Sequence, residues 1–194
     1  MKLPSKVNVG PVEYKVIFPY EFKECNDRVA QHSYTEAKIW ISDKYDGRLR
    51  QDYTIKNSLL HELLHAIDVI FIEGDLEEGQ IVTLGNILCG VFKKTSFKNI
   101  PEIVEIGGLE YSILYPYHFS ETKEFFSYSD HSSCTIFVNE DVNKYAARLS
   151  SFFQILSIIN LRFSIRMSEA DIMPMGTGIL DTLDRNNLWK FFSK

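Results

Sequence analysis

The second half of this chain repeats the first, and that limits what the chain can fold into more than any single motif does. "NVGPVEYKVIFPYEF" (8–22) lies on "EIGGLEYSILYPYHF" (105–119) at an offset of 97, with identities at Gly10/Gly107, Glu13/Glu110, Tyr14/Tyr111, Pro19/Pro116, Tyr20/Tyr117 and Phe22/Phe119. "AKIWI" (37–41) lies on "CTIFV" (134–138) at the same offset. Further on, Tyr53, Ser58, Leu64, Ile67 and Phe71 pair with Tyr145, Ser150, Leu156, Ile159 and Phe163 at an offset of 92. Glu78, Ile81 and Gly85 pair with Glu169, Ile172 and Gly176 at an offset of 91. The order of segments is the same in both halves, which chance does not explain.

Each copy reads as strand, loop, strand, long helix, short helix. "PVEYKVIF" alternates polar and apolar residues and stops at Pro19, as a half-buried strand does. A second strand spans 38–41 and is closed by the turn-like "SDKYDG". Residues 53–72 carry apolar side chains at helical spacing, with Gly74 beyond them as a stop. "DLEEGQIVTLGNILCGVF" (75–92) opens on acidic residues suited to a helix N-terminus. The polar "KKTSFKNIP" (93–101) separates the copies. The expectation is an α+β protein of two similar units, residues 1–97 and 98–194, each so small that it should pack on the other, with a pseudo-twofold relation between them.

Composition narrows the partners. With 26 acidic and 21 basic side chains the formal charge is −5, and no Lys/Arg track marks a nucleic-acid surface. Cys25, Cys89 and Cys134 are odd in number and unpaired in spacing, so free thiols in a reducing compartment are expected. "MKLPSKVNVG" has no apolar run of a secretory signal, and "FFQILSIINLRFSI" (152–165) is too short and too polar to span a bilayer. A cytoplasmic protein with no membrane partner is expected.

"NSLLHELLHAID" (57–68) carries the chemistry. Helical positions i and i+4 lie roughly 6 Å apart on one face, so His61 and His65 can both turn a ring nitrogen to one zinc ion. Zinc then needs a third protein ligand if water is to hold the fourth place. Glu62, turned about 100° from His61, is placed as the general base that takes the proton of that water as it attacks a carbonyl carbon. Downstream, Glu78 shares a helical face with Ile81 and Gly85 and is the expected third ligand, with Glu77 as the alternative. Asp68 falls on the stripe of His65, either to take the second N–H of a liganded histidine or to stand solvated. Tyr34, Tyr53 and His32 are candidates for stabilising an oxyanion. His118 and His131 sit in loops or strand ends and read as ordinary surface histidines. "AKIWISD" (37–43) is placed to pair with an extended substrate.

"HELLHAID" (61–68) followed by "LEEGQIVTLGNIL" (76–88) resembles the small gluzincin-type metallopeptidases of phages and prophages, related to the ImmA/IrrE family. Gly79 departs from their pattern, which more often has an acidic or polar residue there. The resemblance implies a minimal gluzincin unit, with His61, His65 and Glu78 as zinc ligands and Glu62 as base. It covers the first half directly and the second through the repeat. There Phe153, Gln154 and Ser157 stand where His61, Glu62 and His65 should be, and Glu169 alone keeps its identity. The second copy is therefore expected to bind no metal, its vacated space refilled by Phe152, Phe153 and Ile158. Two functions follow as expectations: a zinc peptidase acting on a protein or peptide, or a non-catalytic binding or regulatory module on the same duplicated fold, with zinc structural or absent.

Overall fold

Strand alternation decides which side chains meet. In the computed structural model, which describes residues 1–23, 27–120 and 126–193, the chain forms β1 (Lys6–Val9), β2 (Val12–Ile17), β3 (Ala30–Ser33) and β4 (Lys38–Ile41). A small hairpin, β5 (Lys44–Tyr45) and β6 (Arg48–Leu49), leads into helices α1 (Asp52–Phe71) and α2 (Glu78–Lys94). Then come β7 (Ile103–Ile106), β8 (Leu109–Tyr117), β9 (Ser127–Asp130), β10 (Thr135–Asn139), α3 (Lys144–Arg162), α4 (Glu169–Arg185) and the short α5 (Trp189–Phe192). The fold is α+β.

The two four-stranded sheets have the same order, β1-β2-β4-β3 and β7-β8-β10-β9. In each, a parallel central pair is flanked by antiparallel edge strands, and the central registers correspond: Val16 opposes Ile39, and Ile113 opposes Ile136. Val7, Val9, Tyr14, Val16, Ile39 and Ile41 form the buried face of the first sheet, and Val104, Ile106, Tyr111, Ile113, Ile136 and Val138 that of the second. Each residue of the second set lies 97 positions after its counterpart. Two strands per half, β1 with β3 and β7 with β9, go beyond the sequence expectation. β3 reads "AQHS" and β9 "SYSD", polar edge segments without the apolar alternation that announces a strand. The second helix of each half has 17 residues, and in the first half it is shifted from the expected 75–92 to Glu78–Lys94. The offset drops from 97 to 92 where the β5–β6 hairpin is inserted before α1.

The helices connect the halves. α1 lies on its own sheet, and α3 lies on β9 and β10. α2 crosses to β7 and α4 crosses to β1, so each half lends its second helix to the other's sheet. One continuous hydrophobic core results, running through both halves. At its centre Phe92 meets Trp189 edge-on at 5.5 Å and Phe97 meets Phe152 at 5.3 Å. Phe152 thus packs in the core between the halves and does not refill a vacated metal site. The Arg148 guanidinium closes this cluster, donating to both oxygens of Asp184 (2.7 and 2.9 Å) and to the Phe97 carbonyl.

Cys89 is buried and Cys134 half-buried, both as free thiols, while Cys25 lies outside the described residues. No helix among the described residues is long and apolar enough to cross a membrane. His118 is exposed and paired with Glu140 at 2.6 Å, and His131 sits exposed in a turn.

Candidate metal centre

α1 turns one face to the core through Ile55, Leu59, Leu63 and Ile67, which leaves His61 and His65 at the edge of that face, half-buried. α2 returns across it and packs against α1 at Gly85, where a Cβ would stand 3.4 Å from Leu64 Cδ1 and 3.8 Å from His61 Cα, at ordinary contact distance. Glu78 is the first residue of α2, where the positive end of the helix dipole favours a carboxylate.

The three side chains converge. His61 Nε2 and His65 Nε2 are 3.1 Å apart. Glu78 Oε1 lies 3.3 Å from His61 Nε2, and Glu78 Oε2 lies 3.0 Å from His65 Nε2. Around a tetrahedral zinc with bonds near 2.0–2.1 Å, ligand atoms stand about 3.3 Å from one another. The spacing of the two imidazole nitrogens, and of each to its nearer Glu78 oxygen, is close to that edge length, and one ligand atom from each residue lies within 4.8 Å of the other two, so the three side chains could hold one ion. Among the described residues this is the one group of three or more His, Cys, Asp or Glu side chains with such convergence. Burial, then the neighbouring His65, hold the His61 imidazole below its ordinary pKa, with Glu78 acting in the opposite sense. Neutral imidazole is the form that binds metal.

Glu62 is 5% exposed and lines the same cleft as His61 and Glu78, a pocket of about 370 Å³. Burial, reinforced by the Glu78 carboxylate, pushes its carboxyl up to about 8, with Arg28 pulling it down. Glu77, the alternative ligand, precedes the helix as its N-cap, and its backbone N–H donates to Gln80 Oε1 at 2.6 Å. It takes no part in the convergence.

The other sequence candidates separate. His32 lies on β3 with its ring parallel to that of His65 at 6.4 Å, and its Nε2 is 3.2 Å from the Tyr14 hydroxyl. Burial, then the charge of His65, lower His32 to about 4. Tyr34 is exposed in the β3–β4 turn, and no hydrogen bond or ring contact joins it to the ligand trio among the described residues. Tyr53 sits two turns before His61 and faces Cys89 and Lys93, outside the pocket that His61, Glu62 and Glu78 line. Asp68 is neither solvated nor hydrogen-bonded to His65. It is 3% exposed, and its Oδ1 accepts the Leu76 N–H at 3.2 Å, while its carbonyl accepts the N–H groups of Ile72 and Gly74. Its work is to fold the α1–α2 connection that brings Glu78 back to the histidines.

Residues 38–41 do not offer a free edge: β4 is paired with β2 on one side and β3 on the other. The edge strand beside α1 is β3. Two residues that the sequence reading passed over support it. Arg50 donates to the carbonyls of Ser42 (2.8 Å), Val29 (3.3 Å) and Thr54 (2.9 Å) and to Ser58 Oγ (2.6 Å), tying the entrance of β3 to α1. Asn57, one turn before His61, donates to Asn86 Oδ1 at 2.7 Å across the mouth of the pocket. An arginine in a loop and an asparagine pair 29 residues apart carry no local sequence signal. A larger cleft of about 730 Å³ adjoins the pocket through Arg28 and contains none of the three ligands.

In the second half the corresponding atoms are differently used. The Phe153 ring lies on Gly176, so close that a Cβ there would come within 2.8 Å, whereas Gly85 meets His61 only at its Cα and Cβ, 3.8 and 4.0 Å from a Cβ placed there. Gln154, in the place of Glu62, donates to Ser127 Oγ at 3.0 Å and to the Ser127 carbonyl at 3.3 Å. Glu169 is exposed at the start of α4. Ile158 is buried in the common core.

Comparison of the chain with models of known protein families, with curated proteins and with solved structures finds no match. The class is therefore defined by the geometry itself: an α+β protein with two like-ordered sheets and one His-His-Glu cluster on a helix pair.

Proposed function

We propose that the chain is a zinc-dependent peptidase of the gluzincin type, similar to the ImmA/IrrE-related phage enzymes, built as an internal duplication with a pseudo-twofold relation and a degenerate second copy. The observation that carries the reading is the convergence of His61 Nε2 and His65 Nε2, 3.1 Å apart, on the Glu78 carboxylate, whose Oε1 lies 3.3 Å from the first and whose Oε2 lies 3.0 Å from the second, with Glu62 in the same cleft. The identical strand orders and the reciprocal crossing of α2 and α4 support the duplication.

A zinc ion held by His61, His65 and Glu78 would supply Lewis acidity and lower the pKa of a water. His61 and His65 present Nε2, fixed by the rigid helix between them. Glu78 contributes negative charge from a different element, so the site forms only when the α1–α2 turn at Asp68 is folded. Glu62 takes the proton of the attacking water and returns it to the nitrogen of the departing amine. The β3 edge, with its backbone unpaired on the outer side among the described residues, orders an extended substrate by main-chain hydrogen bonds. His32, neutral above about 4, offers a ring N–H beside His65.

The decisive variant is Glu62→Gln. Assayed on a fluorescence-quenched peptide library with zinc bound, it should keep the metal and lose about 10²- to 10⁴-fold in cleavage. Wild-type protein that binds zinc and cleaves no member of the library would support the second reading, a binding or regulatory module. That reading draws on the replacement of three of the four site residues in the second half by Phe153, Gln154 and Ser157.

A further inference from the structure

A second cleft, of about 590 Å³, opens at the far ends of the same two helices, between the start of α1, the end of α2 and α5. None of the proposed metal ligands lines it. Four lysines do, Lys2, Lys56, Lys93 and Lys190, with Asp52 as the single carboxylate. Among the described residues none of these four ammonium groups has a carboxylate within ion-pair distance, whereas Lys6, Lys38 and Lys94 are paired with Glu13, Glu36 and Glu105. In place of carboxylates, Lys56 Nζ lies 5.3 Å from the centre of the Phe191 ring and Lys93 Nζ lies 5.5 Å from that of Tyr53.

Lys93 has an ordinary explanation, since a cation in the last turn of a helix complements its dipole. Lys56 does not. It stands in the second turn of α1, near the positive end of that dipole, and faces three further cations around one cavity. In a chain of net charge −5, such a concentration of unpaired positive charge raises the local affinity for anions. The walls are aromatic: Tyr53 is exposed, Phe191 half-buried and Phe192 buried. A cavity of this volume, part apolar and part charged, suits a small molecule.

We propose that this cleft binds a small organic anion, a phosphate or carboxylate carried on an aromatic ring, with Lys56 and Lys93 holding the anionic group and Tyr53 and Phe191 contacting the ring. Lys2 and Lys190 complete the positive rim. The site is separate from the metal centre and does not depend on it.

Amide chemical-shift titration of the 194-residue chain with phenyl phosphate, benzoate, inorganic phosphate, phenol and a DNA oligonucleotide tests this. Phenyl phosphate and benzoate should saturate with shifts centred on residues 52–56, 89–93 and 188–192, and phenol should not saturate. The double variant Lys56→Gln/Lys93→Gln should lose at least about tenfold in affinity. Tyr53→Ala should erase the preference for phenyl phosphate over inorganic phosphate. Binding should persist in His61→Ala/His65→Ala, which separates this site from phosphate captured by a metal. The proposal is overturned if neither aromatic anion saturates at these residues, if the lysine variant binds them as well as wild type, or if only a DNA oligonucleotide shifts these signals.

Discussion

Asn186 at the end of α4 grips the backbone of Asn8 on β1 from both sides: Asn8 N–H donates to Asn186 Oδ1 at 2.8 Å, and Asn186 Nδ2 donates to the Asn8 carbonyl at 2.8 Å. β1 is an edge strand, and its outward backbone groups are here satisfied by a side chain 178 residues away. The same Nδ2 donates to the Thr182 carbonyl at 2.7 Å. Asn186→Ala should cost about 1–3 kcal/mol by leaving these groups unpaired. Urea unfolding measures it, and a loss under about 0.5 kcal/mol, the range of an ordinary surface substitution, would show that water replaces the amide without penalty.

The crossing of α4 over α1 depends on Gly178. A Cβ at that position would come within 2.6 Å of Ile67 Cγ2 and 2.8 Å of Phe71 Cδ2. Since both neighbours belong to packed helices, Gly178→Ala should force the halves apart and cost about 1–3 kcal/mol, despite the gain in helix propensity. A raised melting temperature in this variant would mean that the interface is looser than the contacts imply.

Arg50 makes four donations to three separate stretches of chain, and a lysine cannot reproduce that fork. Arg50→Lys should cost about 2 kcal/mol and increase hydrogen exchange in residues 29–33 before it affects the second half. Uniform exchange across the molecule would contradict its assignment as the tie between β3 and α1.

Asp68 makes a prediction about pH. Burial raises its carboxyl above the ordinary value, against the pull of the Leu76 N–H and His65. Between the ordinary and the raised value the native state keeps a proton that the unfolded chain has released, so this group's contribution to stability grows as pH falls through that window and is unfavourable above it. In chelator-treated protein, Asp68→Asn keeps an acceptor for Leu76 and removes the charge. It should be as stable as wild type near pH 4 and more stable near pH 7, as followed by thermal unfolding at both values. Asp68→Asn less stable than wild type near pH 7 would show that the carboxylate is needed in ionised form.

Much of this was legible because side-chain periodicity is local. The offsets of 97, 92 and 91 coincide with the starts of β1 and β7, α1 and α3, and α2 and α4. The spacing of His61 and His65 on a helix, and the face Glu78 shares with Ile81 and Gly85, sufficed to bring three side chains together, although the Glu78 side chain is exposed rather than turned inward. What stayed hidden depends on partners remote in sequence. β3 reads "AQHS", with no apolar alternation to mark it, and without β3 the strand at 38–41 looked like an edge. The crossing of α2 and α4 between sheets is a property of assembly, which no window of sequence contains. Asp68 read as a partner of His65 or as solvated because the loop that buries it returns from eight residues further on.

The central claim is that His61, His65 and Glu78 grip one divalent cation. Metal analysis of the purified chain by mass spectrometry, with zinc titration of the stripped protein by calorimetry, addresses it directly. One zinc per chain is expected, lost in His61→Ala/His65→Ala, weakened in Glu78→Ala and kept in Glu77→Ala. A stripped protein that takes up no zinc, or takes it up equally well without His61 and His65, would contradict the account.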